Sequence, residues 1–257
     1  MIAKVALVTA LLSVAFIQAQ DSPRVTQANA PDAAANLVKI HNAWGPRAST
    51  PNTSLAIKEA SRSGNVIKFR LYATGLPKGG NYTIVSWPVT QKGPSENLRG
   101  VSLDESGLAI CAGSSTTTCG SAEKPDDPID MVTQPVPGEP VRLGLIASDG
   151  SVKVFAKLVP VPLRGEDRGC VVEGVLLTPG SELVLIEGSG FPAGSEVILD
   201  SDSAGERHSP KVKADSEGRY ESAILPYTQG VKSGTLRVDL KSARCSPSVQ
   251  IPWGRRK

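Results

Sequence analysis

The 257-residue chain has little histidine, few aromatic side chains and almost no imbalance of charge. Its two histidines, His41 and His208, stand far apart, and it contains no Cys-x-x-Cys pair and no Gly-x-Ser-x-Gly. A zinc site of the usual spacing and a nucleophile with a histidine base therefore both lack their parts. Aromatic residues make up 4% of the chain, which leaves few platforms for stacking a sugar ring. The formal net charge is +3, too small to argue for nucleic acid. Beyond the N-terminal apolar run, no stretch approaches the roughly 20 residues that cross a bilayer. No cofactor, metal, nucleic-acid partner or membrane span is expected.

The N-terminus carries the first positive signal. Lys4 precedes an apolar run over residues 5–17, broken by Thr9 and Ser13, and Ala19 offers a small residue for cleavage. This is the pattern of a secretory signal peptide over residues 1–19. The expected location is secreted or periplasmic. The four cysteines, Cys111, Cys119, Cys170 and Cys245, suit that compartment, since oxidising environments favour disulfides. Four cysteines allow three connectivities.

Residues 20–50 are rich in Ala, Asn, Pro and Ser. They are expected to form a mostly irregular linker, with a short helix over residues 33–41 as its one regular piece. Beyond them, apolar residues alternate with polar ones: Ile67, Phe69 and Leu71; Val141, Leu143 and Leu145; Val152, Val154, Ala156 and Leu158; Leu236, Val238 and Leu240. Successive strand side chains point to opposite faces, so each run supplies one face to a core and one to water. The chain has 25 Gly and 20 Pro, and turn signals such as Lys78-Gly79-Gly80 and Asp149-Gly150 separate the runs. The fold class is all-β.

The two halves share a motif order. Gly75-Leu76-Pro77-Lys78-Gly79 precedes a strand and then Asp104-x-x-Gly107; Gly190-Phe191-Pro192-Ala193-Gly194 precedes a strand and then Asp215-x-x-Gly218. A degenerate duplication is expected, with domains over 51–165 and 166–257. The charged, glycine-bearing run at 164–169 is expected to be the linker between them.

On GSGFPAGSEVILDSDS, KADSEGRYESAILP and SGTLRVDLKS, residues 170–254 resemble the Ig-like repeat modules of bacterial secreted and surface proteins, including IPT/TIG-type domains. The resemblance implies two Ig-like β-sandwiches in tandem after the signal peptide and linker, and says little of function. The first half resembles the family less, because residues 111–139 interrupt it. In a Greek-key sandwich the first and last strands come within disulfide reach. That implies the pairs Cys111–Cys119, within one loop, and Cys170–Cys245, across the second domain.

Several segments are candidate sites. The loop from Cys111 to Cys119 and its Pro/Asp-rich continuation could carry binding, although a plain hairpin staple explains it as well. Asp200 and Asp202 resemble the start of a calcium loop, but the twelfth position is Lys211 rather than Glu, so a solvated hairpin loop is expected. Asp126, Asp127 and Asp130 are expected to be solvated too. Trp253 is expected to be exposed and Trp87 to lie in the core or at an edge. The functional expectation is an exported, non-enzymatic envelope or extracellular binding or structural protein, its partner an unknown protein or envelope polysaccharide. The alternatives are a polysaccharide-binding accessory protein and a small secreted hydrolase using paired carboxylates.

Overall fold

The computed structural model describes residues 30–91, 93–112 and 126–254. The signal peptide expected over residues 1–19, and Cys119 with its expected bridge to Cys111, lie outside them. A helix, α1 (Ala30–Ala43), opens the described chain. The first half follows with β1 (Ser54–Ser63), β2 (Val66–Thr74), β3 (Tyr82–Ser86), β4 (Ser95–Leu103), β5 (Ala109–Cys111), β6 (Met131–Thr133), β7 (Val141–Ala147) and β8 (Lys153–Leu158). One sheet runs β1-β2-β6 and the other β5-β4-β3-β7-β8. Leu71 and Ala73 of the first sheet meet Ile84, Val101, Leu143, Leu145 and Val154 of the second in one buried cluster. Leu71, Leu143, Leu145 and Val154 are among the residues that the alternation marks as inward.

The second half contains β9 (Leu163–Asp167), β10 (Cys170–Leu176), β11 (Val184–Ser189), β12 (Glu196–Ser203), β13 (Glu206–His208), β14 (Lys211–Lys213), β15 (Tyr220–Ile224), β16 (Ser233–Lys241) and β17 (Ser248–Gly254). Its sheets run β15-β11-β10-β9 and β13-β12-β16-β17, with β14 also paired to β12. Val172, Val184 and Ile186 meet Val197, Leu199, Leu236, Val238 and Leu240 between them. The fold is all-β, with every strand pairing antiparallel.

Seven strands of each half repeat the other's arrangement, leaving β5, β9 and β13 without counterparts. The order β1-β2-β6 corresponds to β10-β11-β15, and β4-β3-β7-β8 to β14-β12-β16-β17. Register follows too: Tyr82 faces Val101 as Val197 faces Val212, and Ile84 faces Leu145 as Leu199 faces Leu240. The Asp-x-x-Gly turns are near copies. Asp104 Oδ1 accepts the N–H of Ser106 and Leu108, and Asp215 Oδ1 that of Glu217 and Arg219, all at 2.8 Å. Their glycines, at φ 83° and 71°, leave room where a Cβ would meet the carbonyl oxygen of Ala73 or Phe191 at 2.1 and 2.0 Å. In the second half the chain runs from this turn straight into β15. In the first half the residues after Cys111 separate the turn from β6.

Several expectations are corrected. The run at 164–169 is not a linker: β9 pairs with β10, Glu166 opposite Val171 and Arg164 opposite Glu173. The boundary expected between residues 165 and 166 therefore falls inside a strand. Arg164 and Glu166 can be charged because they face outward, while Gly165 lets the Ser248 carbonyl approach; a Cβ there would overlap it. Residues 30–43 form a longer helix than the short one expected in an irregular linker. Trp253 is buried, with 5% of its surface exposed. Asp200 and Asp202 lie on β12 itself, and the turn is at Ala204 and Gly205.

Candidate functional site

Helix α1 presents Ala34, Leu37 and Val38 at the spacing of one helical face, and His41 continues that stripe. The stripe lies on the outer face of the β15-β11-β10-β9 sheet, against Val175, Leu177, Leu183 and Leu185, with Val159 and Leu225 beside it. Under the helix that sheet is covered on both faces, so the ends of β10 and β11 there carry near-continuous apolar runs instead of strict alternation.

Just past the helix, Trp44 is buried against the first half. Its ring centroid lies 4.7 Å from that of Phe155 and 5.8 Å from that of Trp87. His41, 2% exposed, sits where the helix meets both halves. Arg142 Nη2 donates to His41 Nδ1 at 3.3 Å, and Lys157 Nζ donates to the His41 carbonyl at 2.9 Å. Arginine can only donate, so Nδ1 carries no proton and Nε2 does. Burial, and then the charges of Lys157 and Arg142, push His41 down to about 3. The 3.9 Å approach of Nε2 to Glu187 Oε1 is therefore not an ion pair at neutral pH. Arg142 is buried too, and desolvation lowers it to about 10.

Where the helix ends, the same sheet face turns polar and opens into a groove of about 720 Å³. Its floor is a row across four strands: Arg164 opposite Glu173, Glu173 opposite Glu187, and Glu187 opposite Glu221. Like charges directly opposite on neighbouring strands destabilise a sheet, so three glutamates in register are costly. Two have partners: Arg164 binds Glu173 at 3.3 Å, and Asn42 Nδ2 donates to Glu221 at 2.9 Å. Burial pushes the Glu187 carboxyl above the usual range; Lys157 opposes the rise, and Glu221 and Glu173 add to it. Arg47, Lys213, Arg219 and Tyr220 line the margins. The groove thus offers three carboxylates and one guanidinium along its floor and further donors at its rim, at a size that suits a small ligand or a few residues of a polymer.

The residues singled out in sequence lie elsewhere. Cys170 and Cys245 form the expected disulfide, with Cα atoms 6.2 Å apart, at the far end of β10 from the helix. Such a bridge fits an oxidising compartment. Asp200 is paired with Lys241 and also accepts from Ser209; Asp202 pairs with Arg207 at 2.7 Å. Their negative charge is answered by side-chain cations. Asp130 binds Arg70 at 2.9 Å. His208 is exposed on β13. Sequence reasoning missed the glutamate row because cross-strand register brings together residues 173, 187 and 221.

No family model and no curated protein matches the chain. Among solved structures, the tetra-tandem repeat in the extending region of a large adhesion protein aligns over 80% of this chain and 48% of that one, at 11% identity and a TM-score of 0.24. The match thus spans about half the length of that solved chain.

Proposed function

We propose that this is an exported, non-enzymatic binding or structural protein of the cell envelope or extracellular space, built of two Ig-like modules. In this reading the groove beside α1 is its ligand site. The observation that carries it is the register of Glu173, Glu187 and Glu221 on three adjacent strands, an arrangement that costs stability and opens onto a groove. The disulfide Cys170–Cys245 supports work outside the cytoplasm. His41, the histidine nearest the groove, has Nδ1 held by Arg142 and its ring buried, which argues against a histidine base there.

A polysaccharide is the ligand that the lining favours. Carboxylates accept from sugar hydroxyls, the rim arginines donate to them, and Tyr220 adds a partly exposed ring. Trp253 is buried and offers no stacking platform. A glycan-array screen of the exported protein tests this: binding should be lost in Glu187→Gln and kept in Trp253→Phe. Binding of a protein partner with no glycan signal would leave the module reading and remove the sugar. Release of new reducing ends from a bound glycan, abolished by Glu187→Gln, would overturn the non-enzymatic reading in favour of hydrolysis by paired carboxylates.

A further inference from the structure

We propose that the His41 junction is an acid-sensitive latch: protonation of His41 between Arg142 and Lys157 releases α1 while the two sandwiches stay folded. This does not rest on the ligand reading.

The geometry makes α1 a separable part. It touches the first half through His41, with Trp44 anchoring the residue just past it, and the second half through Ala34, Leu37 and Val38. Neither sandwich core includes it. At its end, polar groups converge from every side. Arg142 arrives from β7 and Lys157 from β8, while Glu187 and Glu221 face it from β11 and β15. Arg47 and Glu173 stand in the adjoining groove, and Glu139 acts on Arg142. On the helix itself the titratable neighbours are Asp32 and Lys39.

The latch works through one lone pair. Neutral His41 accepts from Arg142 at Nδ1. Once protonated, Nδ1 becomes a donor facing a donor, and a third cation joins Arg142 and Lys157. The nearest carboxylate atom, Glu187 Oε1, is 3.9 Å from Nε2, and burial raises Glu187, so acid also removes that anion. With α1 detached, His41 regains its ordinary value near 6.5, against about 3 in place. The opening constant therefore rises by up to about tenfold per pH unit below 6.5. It stops rising where Glu187 takes up its proton, because the closed state tolerates a neutral Glu187 better than the open one does.

Hydrogen exchange on the full chain, corrected for intrinsic rates, reads this at pH 7.5, 6.5 and 5.5. Protection at the end of the helix, such as Trp44 N–H on the Ile40 carbonyl, should fall about twofold from 7.5 to 6.5 and about fivefold more by 5.5. Amides of β3 and β12 should keep theirs. In His41→Gln, which keeps an acceptor but cannot titrate, the fall in protection with acid should vanish. Flat protection in the wild type, equal losses in α1 and the strands, or an unchanged slope in His41→Gln would each overturn the proposal. If that variant does not fold, the wild-type His41 ring decides by NMR. It should stay neutral at pH 5.5 in the closed form; titration near 6.5 with α1 still protected would overturn the latch.

Discussion

The indole N–H of Trp44 is shared between the carbonyls of Leu143 and Ala156, at 3.2 and 3.1 Å. Those carbonyls belong to β7 and β8, so one side chain from outside the sandwich is hydrogen-bonded to two of its strands. Trp44→Ala is expected to destabilise the protein by about 3–5 kcal/mol, the usual range for removing a buried tryptophan. Trp44→Phe should cost less, since a ring still fills the site against Phe155. Urea melts of both variants check this. Equal losses would mean that the hydrogen bond matters and the packing does not.

The second half is not expected to be self-sufficient when cut at residue 166. That cut divides β9 and removes α1, which exposes Val175, Leu177, Leu183 and Leu185. It also removes Val136 and Leu163, which pack against the second core from the N-terminal side. A fragment of residues 166–257 should melt broadly and bind a hydrophobic dye, and full-length protein should not. A sharp melt without dye binding would show that the helix contributes little.

The paired turns should respond alike. Gly107→Ala and Gly218→Ala each place a methyl against a backbone carbonyl at a left-handed φ, and each should cost more than about 1 kcal/mol. Amide chemical shifts should change mainly in the half that carries the substitution. Changes centred in the other half would count against the equivalence of the two turns.

Acid should weaken both turns together. The Ser106 hydroxyl and backbone N–H groups hold Asp104 below its ordinary value, and the Arg219 and Glu217 N–H groups do the same for Asp215. A depressed carboxylate contributes stability above its unfolded value near 3.9, and loses it as pH falls through the folded value. Asp104→Asn and Asp215→Asn should each flatten the pH dependence of the melt below about pH 4. An unaltered acid limb in the double variant would assign it to other carboxylates.

Reduction should act on the second half. The Cys170–Cys245 bridge closes 75 residues, worth roughly 4.5 kcal/mol in the chain-entropy account. Cys170→Ser with Cys245→Ser should lower the melting temperature under oxidising conditions and leave it unchanged under reducing ones. Peptide mapping should join Cys170 to Cys245.

Much of this was legible beforehand. Ile67, Phe69 and Leu71, like Leu236, Val238 and Leu240, alternate along strands with one wet face, and that periodicity survives any choice of partner. The repeated Asp-x-x-Gly turn is local, so its residues name it directly. The charged strand β9 was hidden because its pairing, and not its side chains, keeps it in a sheet. Helix α1 was half hidden: Ala34, Leu37, Val38 and His41 do form a stripe, but nothing in so short a segment says what covers it. The glutamate row could not be seen at all, since only register places Glu173, Glu187 and Glu221 side by side.

The seat of α1 has a consequence for the order of assembly. Asn42 binds Glu221 across a separation of 179 residues, so the first regular element described can dock only after nearly the whole chain has been made. Contacts between distant residues carry a loop-closure cost that must be met before they stabilise anything. Until β11 and β10 have paired, the helix has no apolar sheet face to lie on. The junction therefore acts as a completion mark: α1 closes over the molecule only when the second sandwich exists.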